Sequence, residues 1–316
     1  MHRPKILAVV GPTASGKSAL ALELCKRLDG ELVSCDSMQI YRQMDIGTAK
    51  PTAAEQAEVR HHLIDIVEPE QDFSANDYAV AAEAAVQDIL SRGKLPVFCG
   101  GTGLYLDAFL RGGEVETPGA DPAIRAELSD VLEKHGVVYL HEMLRAVDPE
   151  SADATHPNNT RRVMRALEIY RATGVAKSEW DRRSREVPAR YDATVLGLTY
   201  SNRELLYERI ERRVDQMIDE GLIEETRALL QRGVFEVSRT AAGAIGYKEL
   251  IPYCRGEWDL ATAVSELKTA TRRYAKRQLT WFLAKPYVRW ITADDGNSVR
   301  KCEEIVNIAL ELAERP

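Results

Sequence analysis

Apolar residues fall in two rhythms along this chain. In the first third they come in short runs at 6–10, 31–35 and 95–99. Runs this short, flanked by polar and glycine-containing stretches, suit strands buried on both faces. Between them, 19–24 and 75–91 carry apolar residues at helical spacing. From about 118 to 189 only the helical rhythm remains, over 122–135, 137–147, 158–173 and a short 177–183 piece. Gly136, Pro149, Pro157, Gly174 and Pro188 mark the breaks. A strand pattern returns at 193–198. Helices follow at 202–221, 222–232 and 259–282, then a strand near 287–291 and a closing helix. Strand–helix alternation predicts a parallel sheet covered by helices on both faces. The domain reading is an α/β core over 1–113, an all-helical insertion over 114–193, and the rest of the core with a basic helix over 194–316.

The junction of the first strand and helix carries the chemistry. Gly11-Pro12-Thr13-Ala14-Ser15-Gly16-Lys17-Ser18 fits G-x-x-x-x-G-K-[ST] at every fixed position. Such a loop aims backbone N–H groups and a helix N-terminus at phosphate oxygens, while Lys17 adds a charge and the Ser18 hydroxyl can reach Mg2+. The expected fold is therefore a P-loop NTPase-like parallel sheet with an inserted helical domain, and the expected ligand is phosphorylated. In such sheets ligands bind beyond the carboxyl ends of the strands. That places the loop, Asp36 and the Gly100–Gly103 turn on one rim, with Asp36 expected on the strand next to the loop's own.

Composition refines this picture. The chain has 316 residues, enough for two domains, and a net charge of −7. No apolar stretch is long enough to span a membrane. The first strand begins too early to leave room for a leader. Cys25, Cys35, Cys99, Cys254 and Cys302 are scattered without metal spacing, the usage of a reducing, cytoplasmic compartment. The net acidity hides two basic segments. Residues 271–290 carry Arg272, Arg273, Lys276, Arg277, Lys285 and Arg289 with no acid, interleaved with aromatics. Residues 161–190 carry nine cations, Arg185 among them, against four acids. A solvated helix face explains one such run; two on an acidic chain point to a localised polyanion site.

Asp36 ends its strand where a catalytic carboxylate could accept a proton from a nucleophile, although strand-end Asp also serves as a turn former. Gln39 offers an amide that can pair with a base edge. Thr102 puts a hydroxyl on the same rim. The 95–99 strand ends in Gly-Gly-Thr rather than an acid. That disfavours a hydrolase and leaves group transfer, with a small-molecule kinase as the alternative. His61 and His62 lack a third ligand at metal spacing.

The ordered set Gly11–Ser18, Asp36-Ser37-Met38-Gln39 through Thr52, His61–Ile66, Gly100–Tyr105, Arg162–Tyr170, Ala244–Glu249 and Thr271–Trp281 resembles the bacterial tRNA dimethylallyltransferases. The resemblance implies transfer of a dimethylallyl group from dimethylallyl diphosphate to N6 of the adenosine just 3′ of the anticodon. Asp36 would be the base, Lys17 and Arg213 would hold the diphosphate with the P-loop, and Thr102 would sit near the target base. Contacts to tRNA would come from Asp36, Ser37, Met38, Gln39, Thr102, Arg125, Arg161, Arg162, Val163, Met164, Arg165, Gly243, Ala244, Ile245, Gly246, Tyr247 and Lys248. Mg2+ at Ser18 and a monomeric state are also expected. Leu283 stands where many relatives carry Arg, which removes one basic contact.

Overall fold

The computed structural model describes residues 3–111, 119, 121–186 and 188–314. The chain divides into two compact units, Met1–Leu110 with Arg190–Pro316, and Arg111–Ala189. The second corresponds to the expected insertion, starting three residues earlier and ending four earlier than 114–193. The expected 113/114 boundary and the Arg185 side chain lie outside the described residues.

The larger unit opens with β1 (Lys5–Val10), α1 (Lys17–Leu28), β2 (Gly30–Ser34), α2 (Ala53–Glu58), β3 (His61–His62), α3 (Ala75–Ser91), β4 (Leu95–Gly100) and α4 (Gly103–Arg111). The insertion supplies α5 (Pro122–Val147), α6 (Pro149–Asp153), α7 (Thr160–Thr173) and α8 (Lys177–Glu186). Gly136, at φ 80° and ψ 178°, interrupts α5 where the sequence predicts a break. The core resumes with β5 (Asp192–Thr199), α9 (Arg203–Asp219), α10 (Leu222–Gln231), α11 (Val234–Val237), α12 (Arg239–Ala242), α13 (Tyr247–Cys254), α14 (Leu260–Leu283), β6 (Val288–Thr292) and α15 (Cys302–Glu314).

The sheet is parallel throughout, in the order β3-β2-β4-β1-β5-β6. Period-two alternation feeds a core on each face: Leu7 and Val9 pack with Leu20, Leu24 and Leu196 on one side. Ile6, Ala8 and Val10 pack with Phe98, Phe109 and Val195 on the other. One expectation is corrected here. β4, not β2, lies beside β1, so Asp36 is separated from the P-loop strand by one strand. Its reach to the loop comes from the turn after β2, which closes over β4: Cys35 N donates to Cys99 O at 2.7 Å and Thr102 N to Cys35 O at 3.1 Å.

A third core cluster, with Ile40, Tyr41 and Met44 against Leu222, Phe235 and Tyr247, anchors the loop after Asp36. The insertion has its own core of Leu128, Leu140, Leu144, Val163 and Leu167.

Candidate active site

The Gly11–Ser18 loop joins β1 to α1. Gly11 (φ 144°) and Gly16 (φ 95°) adopt backbone that side chains resist, and a Cβ on Gly11 would lie 2.8 Å from the Leu198 carbonyl oxygen. The loop's carbonyls are held by neighbouring side chains. Arg209 Nε donates to Ala14 O at 2.8 Å, and Tyr200 OH donates to Ser15 O at 3.2 Å. Since N–H and C=O of a trans peptide point oppositely, carbonyls fixed this way help hold the amides toward an anion. Lys17 is buried, and its Nζ donates to Pro12 O at 3.3 Å. Burial holds its ammonium below the usual pKa; Arg213 pushes the same way, while Cys99 and Asp36 oppose. An anion in the loop would relieve that cost.

Asp36, Lys17 and Arg213 lie within electrostatic range of one another. Arg213 follows Arg209 by one helical turn on α9, and burial lowers its pKa while Asp36 opposes the shift. Asp36 Oδ1 accepts from Met38 N at 2.9 Å, which fixes the turn. Thr102 Oγ1 accepts from Ser37 N at 3.0 Å and donates to Ser37 Oγ at 3.3 Å. From α14, Gln278 accepts from Thr13 N at 2.8 Å, and Tyr274 lies within electrostatic range of Asp36. The structure thus gathers the sequence-derived Lys17, Asp36, Thr102 and Arg213 on one rim. It adds Arg209, Tyr200, Tyr274 and Gln278. The spacing Arg209/Arg213 and Tyr274/Gln278, one turn apart on helices, was the available signal for the additions.

The tRNA-contact set divides. Ser37, Met38 and Gln39 border the rim, but the Gln39 amide is already engaged: its Nε2 donates to Thr48 O (3.3 Å) and Ala49 O (3.1 Å), and its Oε1 accepts from Ser34 Oγ (2.9 Å). Gln39 therefore orders the loop here, and base pairing would require it to break these bonds. Three expected contacts have side chains turned into the cores. Val163 is fully buried in the insertion's core, four residues before Leu167 on the inward face of α7. Ala244 and Tyr247 are buried in the core under the Asp36 loop. Tyr247 OH donates to Glu225 Oε1 at 2.6 Å, and a Cβ on Gly47 would fall 2.5 Å from the Tyr247 ring. Met164 and Ile245 pack half-buried against the same cores, and Gly246 is buried; Gly243 and Lys248 are exposed.

Charges in the insertion sort similarly. Arg125 grips the buried Glu168 through Nε (2.5 Å) and Nη2 (3.0 Å), and Arg165 reaches the same carboxylate at 3.4 Å. These two arginines neutralise a buried acid, so Arg165 is not the free surface cation its spacing from Arg161 suggests. Arg161 and Arg162, in the first turn of α7, are exposed and carry no ion pair among the described residues. On α14, Arg272 pairs with Glu211, whereas Arg273, Lys276 and Arg277 are exposed. Lys285 is turned onto Asp107 at 2.5 Å.

Among the described residues no three metal-ligating side chains cluster, and no helix is long and apolar enough to cross a membrane. The family model for IPP transferase matches residues 39–285. The chain belongs to the IPP transferase family. A tRNA dimethylallyltransferase of Caldanaerobacter subterraneus is 46% identical over 95% of both chains, and that of Halalkalibacterium halodurans is 46% identical over 99% of both. The solved tRNA isopentenylpyrophosphate transferase of Bacillus halodurans superposes with a TM-score of 0.71 at 44% identity, covering 99% of this chain and 97% of that one. A eukaryotic dimethylallyltransferase acting on tRNA superposes with a TM-score of 0.81 at 29% identity, covering 99% and 80%.

Proposed function

We infer that this chain is a tRNA dimethylallyltransferase, moving the dimethylallyl group of dimethylallyl diphosphate to N6 of the adenosine immediately 3′ of the anticodon. The observation that carries this reading is a buried lysine in a glycine loop, within electrostatic range of the half-buried Arg213 and of the carboxylate of Asp36. N6 attacks the first carbon of the dimethylallyl group, the carbon–oxygen bond to diphosphate breaks, and the N6 proton goes to Asp36. Such base assistance contributes about 10²–10⁴-fold. Lys17, Arg213 and the loop amides meet the charge that grows on the departing diphosphate.

The donors suit Mg2+, a hard cation that takes one or two protein oxygens and completes its shell with water and substrate phosphate. The exposed hydroxyl of Ser18 supplies one such oxygen. When bound, the ion neutralises diphosphate charge.

The adenine must leave its stack to reach Thr102 and Asp36, a smaller cost from a loop than from a duplex. The exposed Arg161, Arg162, Arg273, Lys276, Arg277 and Lys248 are the proposed phosphate contacts, which confine tRNA binding to local patches on an acidic chain. We take the protein to act as a cytoplasmic monomer. Incubation with labelled dimethylallyl diphosphate, Mg2+ and unmodified tRNA tests the reading. Label in the tRNA is expected. Unlabelled tRNA, with ATP consumed in the presence of a small metabolite, would favour a P-loop kinase instead.

A further inference from the structure

Gln278 is almost fully buried, at 4% exposure, near the C-terminal end of the helix that carries the exposed cations Arg273, Lys276 and Arg277. Its side chain points away from them, into the rim. Gln278 Oε1 accepts from Thr13 N at 2.8 Å, inside the glycine loop, and Gln278 Nε2 donates to Gly101 O at 3.1 Å, inside the turn that presents Thr102. Both ends of one amide are thereby spent on the two loops that face the reaction. The fit leaves no slack: a Cβ on Gly101 would lie 1.8 Å from Gln278 Nε2. One helical turn earlier, Tyr274 lies within electrostatic range of Asp36 on the same rim.

A buried primary amide is costly unless donor and acceptor are both satisfied, and here each is satisfied by backbone from a different loop. The two loops leave adjacent strands, paired up to Val10 and Gly100, and beyond that pairing Gln278 bonds to both. We propose that Gln278 is a positioning residue that sets the diphosphate loop and the Thr102 turn in register, so that the leaving group and the target base are held at the correct separation. It touches neither reacting group and acts through Thr13 and Gly101. The proposal rests on the prenyl-transfer reading, in which one loop holds the diphosphate and the other faces the target base.

The test compares the wild type with Gln278→Met and Gln278→Glu. Gln278→Met keeps the volume and removes both hydrogen bonds. It should lower kcat about 10- to 100-fold and raise KM for dimethylallyl diphosphate, while the tRNA dissociation constant stays within about twofold, since a small misplacement of reacting groups costs up to about two orders of magnitude. Gln278→Glu keeps the acceptor for Thr13 N–H but faces Gly101 O with an acid. Protonated, that acid donates as the amide did; ionised, it repels the carbonyl and the diphosphate. Its activity relative to wild type should therefore rise as pH falls from 8 to 6, whereas the ratio for Gln278→Met should stay flat. Both variants with wild-type kcat and KM, in an assay where the wild type labels tRNA, would overturn the role. A loss equal in both variants at every pH, accompanied by weaker tRNA binding, would overturn it too, by showing only a damaged helix. A wild type that labels no tRNA would instead refute the function on which the proposal rests.

Discussion

Replacing Glu225 by glutamine isolates what holds the Asp36 loop in place. One carboxylate oxygen accepts from Asp45 N (3.0 Å) and Ile46 N (2.9 Å); the other accepts from Gly47 N (3.0 Å) and Tyr247 OH (2.6 Å). Three of the partners are backbone donors, whereas the Tyr247 hydroxyl can also turn to accept, so a glutamine with its NH2 toward Gly47 and Tyr247 orphans one N–H. An orphaned donor costs about 1–3 kcal/mol, and because this site is only half-buried the lower end applies, about 1–1.5 kcal/mol. In a domain of this size that corresponds to a loss of about 2–6 °C in Tm. Gly47 sits against the Tyr247 ring, so the strain runs along the loop toward Gln39 and Asp36. Turnover should fall by about tenfold with tRNA affinity little changed, as expected when a catalytic group is misplaced. The assay is a thermal melt paired with steady-state prenyl transfer. A Tm within about 1 °C of wild type, with unchanged turnover, would show that the Glu225 clamp does not position this loop.

Three further outcomes follow from the same geometry. Asp36→Ala should lower kcat at least about 100-fold without weakening tRNA binding, because a general base acts in the transition state; a loss confined to tRNA affinity would make Asp36 a positioning group. Arg161→Ala/Arg162→Ala should reduce the slope of log affinity against log salt by about one to two phosphate contacts, while Arg165→Ala should chiefly lower the melting temperature by leaving Glu168 undercompensated; titrations of tRNA across salt and thermal melts distinguish them. Burial pushes the Glu31 carboxyl up, but hydrogen bonds from Arg92 and His62 outweigh it and hold the group below its ordinary 4.5. A depressed acid gives stability that is complete above the unfolded value and lost as pH falls through the folded one, so Glu31→Gln should flatten the acid limb of a stability–pH curve below about pH 4.5.

Much of the fold was legible in the chain because its strands are buried on both faces and its helices are periodic: residues 75–91 and the break at Gly136 stand where the pattern puts them. Strand order was not legible. The return of β4 between β2 and β1 is a long-range pairing that no local pattern encodes. The edge strand His61–His62 is too short to show a period, and the small helices between Val234 and Cys254 are built on turns and caps. At the site, the glycine loop and Asp36 were readable because backbone geometry demands particular residues there. The burial of Val163, Ala244 and Tyr247 was not legible because membership of a motif does not say which face a residue presents. For Val163 the i+4 partner Leu167 carried that information; for Tyr247 the partner, Glu225, lies on another helix.

The central claim is that the glycine loop, through Lys17, receives the diphosphate of a prenyl donor whose carbon goes to tRNA. Single-turnover transfer from labelled dimethylallyl diphosphate, followed on wild type and Lys17→Ala with the labelled nucleoside located by nuclease digestion, tests it most directly. The expected result is label on the adenosine 3′ of the anticodon with the wild type. Lys17→Ala should capture the donor more weakly and transfer it at least about 100-fold more slowly, because Lys17 meets charge that grows as the bond breaks. Equal rates for the two proteins would place the diphosphate away from this loop and contradict the account.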